Sequence, residues 1–400
     1  MFKYKLPKVI YFICIGKIFM ELGNYLWPLF TLLGVNYFGF TETKTANYLI
    51  LFTVLAFCGT IIGGKLTDSF GRKRTFTTFM FVSALCCILA TYATGQAVIW
   101  LLTINALVIS IGGSSTTAMI TDLSSSDQER KDAFALYYIA MNFGFAFGLL
   151  LGGYLYDLDL LKWLFMGDGL TTGLFALVVL FFVPETLPKQ EDFVKVENTK
   201  EAAKEGNVLK MLSTNKPLLI FLFINLTLFI VFRQFTFAVP LYSDHLFGNP
   251  GTIFGIIMSV NAGMVVIFTT PILKLTEKYS IETKIIVGGL CYLIGFGMLA
   301  FINNISLFIL SSIIWTIGEI FISPNSKLYI ASHSPITHRG RFSSIFMLTN
   351  KVASILGFII AGYLIENYSF GLMWISMGII SLVGVMLMYM SKVRKEEVVC

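Results

Sequence analysis

Apolar residues run along this chain in stretches too long for the strands or surface helices of a soluble domain, and polar residues are confined to short breaks between them. A membrane-crossing helix needs roughly 20 predominantly apolar residues to cover about 30 Å of hydrocarbon. Stretches of that length lie at approximately 8–34, 46–67, 75–93, 97–121, 132–156, 162–183, 217–242, 251–273, 283–302, 305–331, 341–365 and 370–390. The pattern predicts an all-α membrane protein of twelve transmembrane helices, called spans 1 to 12 in chain order. Composition agrees: with 56% hydrophobic and 13% charged residues and a mean hydropathy of +0.78, the chain has more apolar side chain than one soluble core of 400 residues could bury.

Lysine and arginine collect on alternate loops, which sets the expected orientation. With both termini cytoplasmic, the inner segments hold Lys3, Lys5, Lys8, Lys65, Arg72, Lys73, Arg74, Arg130, Lys131, Lys274, Lys278, Lys284, Arg339, Arg341, Lys392, Arg394 and Lys395, whereas the outer loops hold Lys44 and Lys162. The net charge of +6 is therefore read as a topology signal and not as a nucleic-acid footprint. The first apolar run, about 27 residues long, exceeds the 7–15-residue core of a secretion signal and reads as span 1. Cys14, Cys58, Cys86, Cys87, Cys291 and Cys400 show neither metal nor disulfide spacing and read as packing residues.

Residues 184–216 break the rhythm with a mixed-charge stretch, dividing the chain into a six-span half (1–183), a cytoplasmic linker (184–216), a second half (217–391) and a short tail (392–400). The later part of the linker has apolar residues at near-helical spacing, compatible with either a surface helix or a solvated connection. An offset of 209 repeats the halves onto each other: Lys65-Leu66-Thr67-Asp68 becomes Lys274-Leu275-Thr276-Glu277, Arg130 becomes Arg339, Gly148 becomes Gly357, and Gly153-Tyr154-Leu155 becomes Gly362-Tyr363-Leu364. One constant shift over separate regions points to duplication of a six-span unit.

Between spans 2 and 3 stands Gly64-Lys65-Leu66-Thr67-Asp68-Ser69-Phe70-Gly71-Arg72-Lys73-Arg74. This closely resembles the signature of the major facilitator superfamily, Gly-x-Leu-x-Asp-Arg-x-Gly-Arg-Lys-Arg, with Ser69 replacing the arginine after the aspartate. The resemblance implies two pseudo-symmetric six-helix halves, alternating access, and a central cavity lined by spans 1, 4, 7 and 10. It assigns conformational gating to Gly64, Asp68, Gly71, Arg72, Lys73 and Arg130, with Asp68 pairing to a neighbouring helix. A carboxylate at that helix end opposes the helix dipole and needs a donor partner. In span 5, Gly144, Gly148 and Gly152 share one face that admits a close helix neighbour. They also resemble an antiporter signature, except that Leu149 holds its proline position.

An ionisable side chain deep in a span costs about 2.5–3.5 kcal/mol on insertion scales and is a functional candidate by default. Span 1 carries Lys17 and Glu21, span 7 Arg233 beside Gln234, span 10 Glu319 and Lys327, and span 11 Lys351 after Asn350. Lys17 and Glu21, four residues apart, share a face and can pair. Glu319 has no opposite charge one turn away in its own helix; burial favours the protonated form of such a carboxylate, so Glu319 and Glu21 are the expected proton-coupling residues. Arg233, about 16 residues into its helix, lies past the midplane. It suits a carboxylate or phosphate of a substrate, or an ion pair with Glu21 or Glu319. Lys17, Asn24, Trp27, Tyr137, Asn142, Arg233, Gln234 and Lys351 are the expected substrate contacts, and Pro28, Pro240, Pro271 and Pro324 are expected to interrupt or end their helices.

The leading expectation is a secondary transporter of a small solute, closest in pattern to the drug:proton antiporter branch, exporting drug-like or amphipathic compounds. The alternatives are uptake or exchange of an anionic metabolite or peptide, and a transporter-like membrane sensor. No enzyme is expected: no loop carries a nucleophile with its base, and His245, His333 and His338 are dispersed. The expected driving force is a proton gradient with no bound cofactor or metal. The expected partners are a small-molecule substrate, the proton and the lipid bilayer, with no nucleic acid, for a monomer in the cell (inner) membrane.

Overall fold

The structure is a computed structural model that describes residues 6–187, 215–334 and 339–399. The linker over 188–214, Lys3, Lys5, His338 and Cys400 lie outside the described residues. Helices long and apolar enough to cross a membrane run over Lys8–Tyr37, Glu42–Ser69, Arg72–Ala90, Gln96–Asp122, Asp127–Asp157 and Leu161–Phe182 as spans 1 to 6. Spans 7 to 12 are Lys216–Leu246, Pro250–Leu275, Ile281–Phe301, Ile305–His333, Arg341–Asn367 and Phe370–Val393. No strand occurs among the described residues. The fold class is thus all-α with twelve spans.

Two compact units form, one from 6–40, 48–187 and 243–263, the other from 41–47, 215–242, 264–334 and 339–399. In the first, span 1 packs on spans 5 and 6 and span 3 on spans 4 and 6. In the second, span 7 packs on spans 11 and 12 and span 9 on spans 10 and 12. The same pairs recur six spans later, as a duplicated unit requires.

Glycines set the tightest of these contacts. A Cβ added at Gly144 would meet the Ile18 carbonyl oxygen, at Gly148 the backbone of Glu21 and Leu22, and at Gly152 the Tyr25 ring. Span 11 repeats the device: a Cβ at Gly357 would lie 3.1 Å from the Ile230 carbonyl oxygen. Gly148 and Gly357 differ by the repeat offset of 209, and so do the backbones they meet at Glu21 and Ile230.

Both contacted helices break at that level. Span 1 is helical over Lys8–Leu22, opens at Gly23 to Tyr25, and resumes over Leu26–Leu32. Pro28 accounts for the break, because it cannot donate to the carbonyl four residues back, at Asn24, and its ring crowds that carbonyl. Span 7 is helical over Lys216–Phe232, turns at Arg233, and resumes over Gln234–Leu246. The other prolines depart from the expectation. Pro240, Pro271 and Pro324 all sit inside continuous helices, where neighbouring side chains can compensate the lost backbone bond.

Where odd spans end and even spans begin, each unit carries a carboxylate aimed at a helix start. Asp157, ending span 5, accepts the backbone N–H groups of Gly251 at 2.9 Å and Thr252 at 2.7 Å in the first turn of span 8. In the other unit Glu366, near the end of span 11, accepts the backbone N–H of Thr43 at 2.9 Å in the first turn of span 2. Asp157 plus 209 is Glu366, and Thr43 plus 209 is Thr252, so this cap is also duplicated. It satisfies N–H groups that have no partner within their own helix.

At the opposite helix ends, the loop after span 2 turns through Gly71, whose φ of 109° favours glycine. Glu185, just past span 6, accepts the backbone N–H of Arg72 at 2.8 Å and of Lys73 at 3.3 Å, opening span 3. It also accepts from Thr186 at 3.0 Å and Leu187 at 3.1 Å. Partial burial opposes its charge, yet the backbone N–H groups of Leu187, Arg72, Lys73 and Arg74 hold its pKa below the ordinary glutamate value of 4.5.

Two predictions follow from these caps. Asp157→Ala should lower stability by about 0.5–2 kcal/mol, the usual worth of a helix cap, seen as an earlier unfolding midpoint in detergent. Because the Asp157 and Glu366 contacts share no residue, adding Glu366→Ala should shift the midpoint by the sum of the single shifts. A double variant no less stable than Asp157→Ala would contradict this. For Glu185, a lowered folded-state pKa contributes stability that is present above pH 4.5 and lost as pH falls through the folded value. Thermal melts of Glu185→Gln should therefore depend less on pH below 4.5 than those of the wild type, and parallel curves would show that this nest carries no linked stability.

Candidate functional site

In the first unit, the residues facing the break of span 1 form a hydrogen-bonded group. Lys17 Nζ lies 2.5 Å from Glu21 Oε1, and the side chains retain 13% and 7% of their exposure. The second carboxylate oxygen of Glu21 accepts from Asn24 Nδ2 at 2.9 Å. Lys17 also bonds the Tyr137 hydroxyl, which is hydrogen-bonded to Thr116 of span 4. Lys17, Glu21, Asn24 and Tyr137 are thus brought together. Asn142 and Trp27 are not: Asn142 donates to Tyr138 of its own helix at 2.8 Å, and the Trp27 ring packs edge-on to Phe52 at 5.2 Å.

A carboxylate absent from the sequence expectations stands behind the same break. Asp168 of span 6 is 3% exposed and accepts the backbone N–H of Leu26, the first residue of the resumed helix. Thr172 bonds its Oδ1 at 3.4 Å, while Oδ2 is buried without a partner. An acid within the apolar run Trp163 to Phe175 met the criterion that singled out Glu319, so the signal was legible.

In the second unit, a cavity of about 400 Å³, counting the space at its mouth, opens between spans 7, 9, 10 and 11. Phe229, Phe232, Tyr292 and Phe346 give it aromatic walls. Asn225 and Asn350 meet across it, Nδ2 to Oδ1, at 2.6 Å. Glu319 and Lys327, two turns apart on span 10, add one charge of each sign, with Ser323 and Ser326 between them. Asn225, Tyr292 and Phe346 escaped the sequence reading, because uncharged aromatics and amides in a span are more often packing than function.

Arg233 sits in the turn that breaks span 7, with its guanidinium 5.7 Å from the rings of Phe235 and Phe358. Its Nε is buried without a hydrogen-bond partner, and no carboxylate forms an ion pair with it among the described residues. Lys351 is close enough for the two positive charges to repel each other. Gln234 points elsewhere: fully buried, it donates to the carbonyls of Ile230 at 3.0 Å and Gly357 at 3.1 Å, tying span 7 to span 11.

In the loop expected to gate, Asp68 near the end of span 2 pairs with Arg72, the first residue of span 3, at 3.3 Å, and its side chain is 75% exposed. Arg72 makes a second cross-helix bond, donating through Nε to Asp122 at the end of span 4 at 3.0 Å. Asp68 lies one turn before Arg72, so the arginine folds back over it, and Ser69 is occupied by the Lys65 carbonyl at 2.9 Å. Thus Asp68, Asp122 and Glu185 all reach the start of span 3 from other segments. Gly64 has open space around its Cβ direction, Lys73 contributes its backbone N–H to Glu185, and Arg130 bonds Asp127 three residues earlier at 3.2 Å.

Comparison with known proteins matches this architecture. The family profile of the Major Facilitator Superfamily covers residues 12–350 and 304–399. The uncharacterized MFS-type transporter YhjO of Bacillus subtilis is 20% identical over 312 residues, 77% of this chain and 74% of that protein. Multidrug resistance protein MdtH of Proteus mirabilis is 22% identical over 364 residues, 89% of this chain and 86% of its own. Among solved structures, a POT family transporter in complex with 5-aminolevulinic acid superposes with a TM-score of 0.75 at 16% identity, covering 96% of this chain and 95% of that one. With twelve spans, a duplicated unit and these relatives, all transporters and none an enzyme, the chain belongs to the Major Facilitator Superfamily and is a multi-pass membrane transporter.

Proposed function

We propose that this protein is a proton-coupled secondary transporter that exports small amphipathic compounds across the cell membrane, acting as a monomer with both termini in the cytoplasm. The observation that carries this reading is the cavity of the second unit, where Glu319 stands among Phe229, Phe232, Tyr292 and Phe346. Aromatic walls bury the apolar body of a solute, and a single carboxylate can either hold its cationic group or carry a proton. Exchange of solute for proton at one carboxylate is the simplest way to couple the two flows, and likeness to MdtH supports the drug-like class. Glu21, held by Lys17 and Asn24, serves as the second carboxylate. The loop from Gly64 to Arg74, with Arg130, acts as the gate on the cytoplasmic side.

Arg233 and Lys351 favour a second reading, uptake or exchange of an anionic metabolite or peptide. Two cations that repel each other and have no ion-paired carboxylate among the described residues would gain from an anionic group on the solute. Likeness to a POT family transporter fits that chemistry as well.

The readings separate in everted vesicles, by recovery of a ΔpH-sensitive dye as lipophilic cations, zwitterions, small anions and peptides are added. Export predicts recovery with cationic or amphipathic compounds, lost at least tenfold in Glu319→Gln; unchanged proton-driven flux in that variant would remove Glu319 from coupling. Anion or peptide transport predicts instead that Arg233→Gln raises KM for the solute at least tenfold, while Arg233→Lys loses less. An Arg233→Gln protein with unaltered KM for every anion would end the second reading.

A further inference from the structure

Resting on the proton-coupled reading above, we propose that Asp168 is a further proton-binding residue, which takes up and releases a proton at Oδ2 and thereby links protonation to the bend in span 1. Asp168 is 3% exposed, and no basic side chain forms an ion pair with it among the described residues. Glu21, by contrast, has Lys17 on one oxygen and Asn24 on the other. The titratable groups that face Asp168 are Glu21 and Tyr25 from span 1 and Cys87 from span 3. None of them is a cation, and the Glu21 charge opposes a second negative charge. An uncompensated ionised carboxylate is poorly tolerated in such a place, so the resting form is the neutral acid.

Position gives the proton a mechanical consequence. Asp168 caps Leu26, where the helix of span 1 restarts after its break. Span 6 is pressed against that break: a Cβ at Gly23 would meet the Thr171 side chain and the Gly167 carbonyl, and one at Gly167 would meet the Tyr25 ring. Water is thereby kept from Oδ2 in the bent conformation. When the seam at Gly23 and Tyr25 loosens enough to admit water while Leu26 stays capped, the O–H bond of Asp168 breaks, the proton passes to water, and the carboxylate becomes a stronger acceptor for the Leu26 N–H. Reprotonation from water reverses the step. Ionisation therefore strengthens the cap and protonation weakens it, so the proton and the bend report on each other.

Difference infrared spectroscopy of the purified protein tests protonation without relying on transport. In protein carrying both Glu319→Gln and Glu21→Gln, which removes the other two candidate acids, a carboxylic C=O band should be present at neutral pH, shift in deuterated buffer and disappear when Asp168→Asn is added. Asp168→Glu, which keeps the acid, should retain the band at a shifted frequency and serves if the asparagine variant does not fold. In vesicles, Asp168→Asn should keep solute counterflow within about threefold while losing ΔpH-driven flux at least tenfold. A plain helix cap would behave otherwise, since asparagine caps as well as aspartate: no band at any pH, and an Asp168→Asn pH profile matching the wild type, would overturn the proposal. Failure of proton coupling as a whole would show differently, as an Asp168 band persisting in a protein whose flux ignores ΔpH.

Discussion

The contact on which this fold turns is the direct approach of a glycine face to a broken helix, made once in each unit. At Gly148 and Gly357 the missing side chain lets one helix lie against the backbone of another, at Glu21–Leu22 and at Ile230. In hydrocarbon there is no water to expel between apolar faces, so helices associate through close packing and hydrogen bonds, which small residues permit. The break in each contacted helix frees backbone groups at mid-membrane depth, tolerable only when protein covers them. Glycine contact and break therefore belong together. The first brings cover to the second, and polar chemistry becomes affordable in its neighbourhood: Glu21, Asn24 and Asp168 beside one break, Arg233 and Gln234 beside the other.

Carboxylates hold the ends of the same helices. At one end Asp157 and Glu366 cap the starts of spans 8 and 2, and at the other Glu185 gathers the N–H groups that open span 3. All three act on a helix N-terminus, where orphan donors and the positive end of the helix dipole make an anion favourable.

Much of this was legible in the sequence, and for identifiable reasons. The spans follow from run length alone, and the Lys17–Glu21 pair from the spacing of four that puts both on one helix face. The 209 offset, read from a handful of residues, also predicts contacts: it carries Gly153 against Gly251 onto Gly362 against Glu42. What escaped was chemistry assembled from distant segments. Arg72 meets Asp122 and Glu185 across 50 and 113 residues, which no local spacing encodes. Asn225 and Asn350 acquire meaning only as two amides touching across a cavity. A signature fixes residue types but not how many partners each holds, and here Arg72 is shared between Asp68 and Asp122.

Duplication of the scaffold makes its chemical asymmetry informative. Under the same offset Asn24 corresponds to Arg233, Asn142 to Lys351 and Ser110 to Glu319. Neutral polar residues in the first unit are thus replaced by three charges in the second, at equivalent places in the fold. The charged groups that remain in the first unit are arranged differently: Lys17 and Glu21 neutralise each other, and Asp168 forms no ion pair among the described residues. The reverse also holds, since Lys17, Glu21 and Asp168 correspond to Leu226, Ile230 and Met377, so each copy carries its charges at different places although both copies pack alike. In the first unit those places hold a self-compensated pair and an acid buried beside a bend, and in the second Glu319 lines the cavity while Arg233 and Lys351 each follow a residue that lines it, Phe232 and Asn350.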